Sequence, residues 1–157
     1  MQKHFYAYDF PVGRVYIAES EGAVTDVSFS AVVGAEEKET PLVARAAKML
    51  EEYFEGKRTG FEGLPLRTAG TVFQEKAWSA LMDIPYGQTR SYGEQAEAIG
   101  NAKACRAVGA ANGKNPISII IPCHRVVGSD NSLTGYGGGL GIKKALLELE
   151  RKFADDQ

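Results

Sequence analysis

SYGEQAEAIGNAKACRAVGAANG, residues 91–113, is the stretch that decides how the second half of the chain folds. Ser91 followed by Glu94 has the capping-box form, so a short helix opens here and runs to about Ile99. Gly100-Asn101 turns the chain, and Asn101 is placed to cap a second helix through about Ala111. Two short helices joined by a tight glycine-containing turn are a helix-turn-helix candidate. In the second helix Arg106 has Ala102 at i−4, Gly109 at i+3, Ala110 at i+4 and Gly113 at i+7, while Ala104, Val108 and Ala111 form the opposite, packing face. One long cation thus stands on a nearly bare surface that can approach a nucleic-acid groove closely. The alternative, a helix packed on its neighbour through small residues with Arg106 in solvent, stays open at this point.

Working outward, Thr71 and Gln74 form another capping box, and Phe73, Ala77, Leu81 and Ile84 make an apolar stripe ended by Pro85. Further back, residues 3–8, 13–18 and 23–29 alternate and are punctuated by Pro11, Gly13 and Glu21-Gly22, which predicts three strands of an antiparallel meander. Leu42, Ala46, Met49, Leu50 and Tyr53 are at helical spacing after Thr40-Pro41 and before Gly56, so one helix covers the sheet. Residues 57–70 lack a period and read as a connection. The expected organisation is therefore an α/β chain of two parts, 1–70 with its linker and a mostly helical 71–157.

The 157 residues, 44% hydrophobic and 24% charged, exclude a disordered or fibrous chain and suffice for a core without staples. A net charge of −2 argues against a nucleic-acid partner, yet residues 86–146 carry seven cations (Arg90, Lys103, Arg106, Lys114, Arg125, Lys143, Lys144) against Glu94, Glu97 and Asp130. Such a local excess can steer toward phosphates. Two cysteines, Cys105 and Cys123, are too few for a disulfide framework, and no secretory or membrane-spanning run is present. A reducing cytoplasm is the expected compartment.

The chemistry concentrates after the β-branched run Ile117-Ser118-Ile119-Ile120-Ile121, which should be buried and leads into Pro122-Cys123-His124-Arg125-Val126-Val127-Gly128. A thiol is mostly protonated at neutral pH and needs a base or a positive field. His124 is the candidate base. The chain's only other histidine is His4, so no Cys/His set for zinc exists and no metal is expected. In an extended strand neighbouring side chains point apart, so Cys123 and His124 cooperate only through a turn at Pro122 or a bridging water. Glu150 adjoins the buried stripe Ile142, Leu146, Leu149 and Phe153 of a final helix beginning near Gly141, and can orient the base. A solvated helix charge is the other reading of Glu150, and an inert buried thiol the other reading of Cys123.

The run from Asn115-Pro116 through Pro122-Cys123-His124-Arg125-Val126 to Gly128 resembles the active-site signature of O6-alkylguanine-DNA alkyltransferases. The resemblance extends through Thr71–Gln74, Ile84–Gly87, Ser91–Gly93, Arg106–Gly109, Gly135–Leu140 and Lys143–Glu150, covering essentially 71–150, and more loosely through the first seventy residues. It implies a small ribonuclease H-like sheet-plus-helix domain followed by a catalytic domain with a winged-helix-like helix-turn-helix. It also implies suicide repair: Cys123 takes the alkyl group of a flipped O6-alkylguanine in duplex DNA, with His124, Glu150 and a water activating it and Asn115 acting as a hinge. Tyr92, Val126, Tyr136, Gly137 and Lys143 would contact the base. Arg106 would fill the vacated stack, with Ala102, Lys103, Gly109, Ala110, Gly113 and Arg125 against the DNA. Some relatives carry Ser at Gly137, which here leaves only a backbone N–H.

No cofactor, metal or membrane partner is implied, and the protein is expected to act as a monomer. O4-methylthymine is a second candidate substrate. A non-catalytic alkyltransferase-like lesion binder would lack the cysteine, and a Cys-His-Glu hydrolase would leave Arg106 and Tyr92 without a purpose. Cys105 is expected to be structural, with secondary alkylation the alternative.

Overall fold

The computed structural model describes residues 2–133, 135–136 and 138–154. Contacts divide it into two units, one of residues up to Thr68 together with Pro116–Ile120, the other of Ala69–Asn115 and the residues from Ile121 onward.

In the first unit the expected meander forms as β1 (His4–Phe10), β2 (Gly13–Ser20) and β3 (Ala23–Ser28). Gly13 at φ 117° and Gly22 at φ 80° sit at the two hairpin turns, backbone that favours glycine. A short β4 (Glu36–Glu37), which no alternation announced, pairs parallel to β1 and gives the order β3-β2-β1-β4. Helix α1 (Pro41–Phe54) starts where expected, the Thr40 hydroxyl accepting the Val43 N–H, and it buries Val43, Ala46, Leu50 and Tyr53. With Val15, Ile17, Val24 and Val27 these form the core of the unit.

The run 117–121 is buried as expected but is not a continuous strand. Ile117 makes one parallel bridge to Val27, and Ser118 N–H donates to the Val27 carbonyl at 2.9 Å. The backbone then turns: Ile119 is at φ 71° and Ile120 N–H donates to Ser118 O at 2.8 Å. A β-branched residue at positive φ is costly, and burial of Ile119 at 1% exposure holds it there.

The second unit contains α2 (Val72–Met82), α3 (Tyr92–Ala98), α4 (Cys105–Gly113) and α5 (Leu140–Ala154). Both expected capping boxes are present, Thr71 with Gln74 and Ser91 with Glu94. Asn101 does not cap α4. Its N–H donates to Ala96 O at 3.0 Å while Gly100 N–H donates to Glu97 O at 2.9 Å, a Schellman closure of α3 with Gly100 at φ 82°. A further turn, Ala104 N–H to Asn101 O, delays α4 to Cys105. Ala102 and Lys103 consequently lie in the turn, outside the helical face expected for them.

The helix-turn-helix is fastened by polar contacts that periodicity did not indicate. Trp78 Nε1 donates to Ala111 O at 2.8 Å, joining α2 to α4. The buried amides of Gln95 and Asn112 exchange hydrogen bonds of 2.9 and 2.8 Å, and Gln95 also donates to Ala77 O. Asn112→Leu should therefore cost about 2–3 kcal/mol by stranding the Gln95 amide, and the double Gln95→Leu/Asn112→Leu variant should recover part of it. Urea midpoints of wild type, the two single variants and the double check this; single losses that simply add in the double would count against it.

Candidate active site

Cys123, His124 and Arg125 form a single 3-10 turn after Pro122, so the chain is bent where side chains would otherwise alternate. The turn continues into β6 (Val126–Val127), which pairs parallel with β5 (Arg90–Ser91). These two short strands have no sequence signature, because each is only two residues long.

Cys123 is 8% exposed and, with Tyr92, Gly109, Asn112, Gly113, Gly135 and Tyr136, lines a cavity of about 370 Å³. That volume lies in the range of small-molecule sites, about 300–1,000 Å³. The Asn115 amide donates to Ile121 O at 2.8 Å and to Cys123 Sγ at 3.2 Å, fixing the turn and pointing a donor at the sulfur. Burial pushes the thiol above its ordinary pKa, partly offset by this hydrogen bond and by the charge of Lys143. Lys143 is fully buried on α5, its Nζ 5.9 Å from the centre of the Tyr92 ring. Burial depresses its own pKa, with Cys123 pulling the other way.

Behind the cysteine, His124 Nε2 lies 2.7 Å from Glu150 Oε2, both side chains fully buried. Burial holds the imidazole below its ordinary pKa against the pull of Glu150. Burial would raise Glu150, but its contact with the His124 ring and the hydrogen bonds and charge of Arg125 hold it well below the carboxylate range. Glu150 is thus an anion, Nε2 carries the hydrogen, and Nδ1 is left as the acceptor. Nδ1 is buried and has no hydrogen-bond partner among the described residues.

Two further groups hold Glu150. Gly87 N–H donates to Oε1 at 3.3 Å from a turn at φ 79°, where an added Cβ would lie 2.8 Å from that of Ala154, so only glycine suits the position. The other is Arg125, and here the expectation of a DNA-contacting cation is corrected. Its Nε donates to Oε1 at 2.8 Å, Nη2 to Oε2 at 3.0 Å and Nη1 to Ile84 O at 2.7 Å, and it is 7% exposed. A guanidinium so fully engaged does not reach a phosphate. With Lys143 also inside, two of the seven cations of residues 86–146 contribute nothing to the surface, and the positive excess rests on Arg90, Lys103, Arg106, Lys114 and Lys144.

The structure brings Cys123, Tyr92 and Tyr136 together at the cavity, with Asn115 hydrogen-bonded to the sulfur and His124 and Glu150 behind. Val126 and Lys143 do not line it: Val126 is buried in its ladder. Gly137 lies outside the described residues. Arg106 and Ala110 are exposed on α4, and Ala102 and Lys103 on the preceding turn, whereas Gly109 and Gly113 line the cavity. An added Cβ at Gly109 would meet the Tyr92 ring at 3.7 Å. Cys105, expected to be structural, is an exposed thiol at the start of α4. Asn112, missed as a cavity residue, could have been found from its place four residues after the packing residue Val108.

Comparison with known proteins agrees with this architecture. Residues 3–68 match the family model of the ribonuclease-like domain of 6-O-methylguanine DNA methyltransferase, and residues 72–152 match that of its DNA binding domain. The chain is 47% identical over 151 residues to a constitutive methylated-DNA--protein-cysteine methyltransferase of Bacillus subtilis, covering 90% of this chain and 91% of that one. It is 45% identical over 150 residues to the Haemophilus influenzae methylated-DNA--protein-cysteine methyltransferase, covering 92% and 84%. A crystal structure of Mycobacterium tuberculosis OGT in complex with DNA superimposes with a TM-score of 0.89 at 44% identity, covering 96% of this chain and 94% of that chain. With both halves matched in order and nearly full length, the chain belongs to the 6-O-methylguanine DNA methyltransferase family.

Proposed function

We propose that this protein repairs duplex DNA by transferring the alkyl group of a flipped O6-methylguanine irreversibly to Cys123, once per molecule, acting as a monomer in the cytoplasm. The observation that carries the reading is the sulfur of Cys123 at the wall of a nucleobase-sized cavity, with the Asn115 amide aimed at it and the His124–Glu150 pair behind. The thiol proton passes through a water to His124 Nδ1. Sulfur attacks the methyl carbon in line, the S–C bond forms as the C–O6 bond breaks, and the guanine takes the electron pair and a proton. The thioether product has no reductive route back to thiol, so turnover ends there.

Entry of the base into the cavity requires extrusion from the stack, which costs a few kcal/mol and less for a poorly paired lesion. Tyr92 and Tyr136 supply aromatic walls, and exposed Arg106 on α4 fills the gap left in the duplex. Lys143 acts through its charge on the sulfur. A lesion sensor without chemistry has no use for the thiol, its donor or its base.

The test is intact-protein mass after mixing with excess duplex carrying O6-methylguanine, beside undamaged duplex and Cys123→Ala. One methyl group gained by the wild type alone, and never more than one, supports the reading. No gain with selective binding of damaged duplex would establish the sensor instead, and a parallel O4-methylthymine duplex defines substrate range.

A further inference from the structure

We infer that Arg125 is a positioning residue of the transfer reaction: its guanidinium grips both oxygens of Glu150, fixes the carboxylate on the Nε2 side of His124, and balances its charge so that the ring stays neutral. The inference rests on the proposed role of His124 as base.

The geometry is that of a three-point clamp. Nε and Nη2 of Arg125 take one oxygen each of Glu150, while Nη1 is anchored on the carbonyl of Ile84 beyond the end of α2. The guanidinium carbon also lies 5.7 Å from the centre of the Tyr86 ring. A planar fork held on three sides cannot swing, and the carboxylate it holds cannot rotate away from His124.

The charge argument follows from burial. A lone carboxylate in this site, in contact with an imidazole, would be neutralised by drawing a second proton onto the ring, and an imidazolium is no base. Arg125 supplies the compensating charge, so Glu150 stays anionic and His124 keeps a free Nδ1 lone pair. The charged or titratable groups acting on the ring are Glu150 and Lys143 from α5, and Arg125 of its own turn; the two cations both disfavour a protonated ring.

The ring can be followed directly. His4 and His124 are the only histidines, so a His4→Gln background leaves one imidazole signal to titrate by NMR, without DNA. The wild-type midpoint should lie below the ordinary value of about 6.5 despite the carboxylate contact. Arg125→Gln should move it upward, and Arg125→Lys, which keeps a charge but not the two-pronged grip, should move it upward by less. The acid limb of the single-turnover transfer profile should follow, Arg125→Gln being roughly tenfold slower than wild type at about pH 6 while the two converge at alkaline pH. A packing defect alone would lower the rate at every pH alike.

A wild-type midpoint above the ordinary value, or an unmoved midpoint in either folded variant, would overturn the inference. If Arg125→Gln does not fold, the wild-type midpoint and Arg125→Lys decide. Failure of the wild type to gain a methyl group would sink the proposed function but leave the ring titration to judge Arg125.

Discussion

Glu150→Ala is expected to cost about 3–5 kcal/mol of stability, because it leaves the Arg125 guanidinium and the His124 ring buried without their anion. Four donors converge on this carboxylate, from His124, from Arg125 twice and from Gly87, across elements far apart in sequence. Removing it strands all of them at once, a large share of the roughly 5–15 kcal/mol that holds a typical domain together. Glu150→Gln keeps the shape and one acceptor oxygen, so it should be the milder variant, folded but with transfer slowed about a hundredfold through loss of the oriented base. Urea denaturation and single-turnover rates on damaged duplex separate the two effects. A Glu150→Ala protein of wild-type stability would show that the clamp is not what holds the turn to α5.

The same carboxylate sets the acid behaviour. Its pKa is depressed in the folded protein, so its contribution to stability is fully present above the unfolded value of about 4.5 and is lost as pH falls through the folded one. His124 is also depressed, so the unfolded chain binds a proton that the folded ring refuses, and stability begins to fall below about pH 6.5. Both groups act in the same direction. The denaturation midpoint should decline below about pH 6.5 and again below about 4.5, and Glu150→Gln should lose the lower limb.

Asn115→Ala should slow alkyl transfer by about two to three orders of magnitude, the loss seen when one donor to a developing anion is removed from a preorganised site. The amide gives one hydrogen bond to the Ile121 carbonyl and one to the Cys123 sulfur, so it stabilises the thiolate and fixes the turn that presents it. Burial already opposes ionisation of this thiol. Without the amide, ionisation keeps only the weaker help of the Lys143 charge and the backbone N–H at Cys123, and the midpoint for reaction with a thiol reagent should move to higher pH. Global stability should fall by about 1–2 kcal/mol, since two neutral hydrogen bonds are lost, one of them to a weak sulfur acceptor. A variant that transfers at the wild-type rate would remove Asn115 from the site.

Residues acting within one turn of helix or along one strand were legible in the sequence. Alternation marked β1 to β3, and the Ser91/Glu94 and Thr71/Gln74 boxes marked the starts of α3 and α2. These signals are local: a cap acts on an N–H three residues away, and a strand's faces repeat every second residue. The Cys123-His124 pair and its resemblance to a known signature lay in one contiguous run. Where local rules competed, tertiary structure decided. Asn101 could cap α4 or close α3, and it closes α3. The 117–121 run had strand propensity, yet after one bridge the backbone turns at Ser118–Ile120, with buried Ile119 at positive φ.

Long cations were beyond the sequence for a different reason. Arg125 and Glu150 are 25 residues apart, and nothing near either names the other as partner. A guanidinium beside a catalytic motif in a net-positive stretch reads as a phosphate contact; only the folded chain shows it turned inward. Periodicity and caps therefore marked the longer elements, and one contiguous motif with its family resemblance pointed to the chemistry of the cysteine. Which charges face solvent and which face each other was decided by burial, because the electrostatic worth of a side chain depends on the groups that surround it after folding.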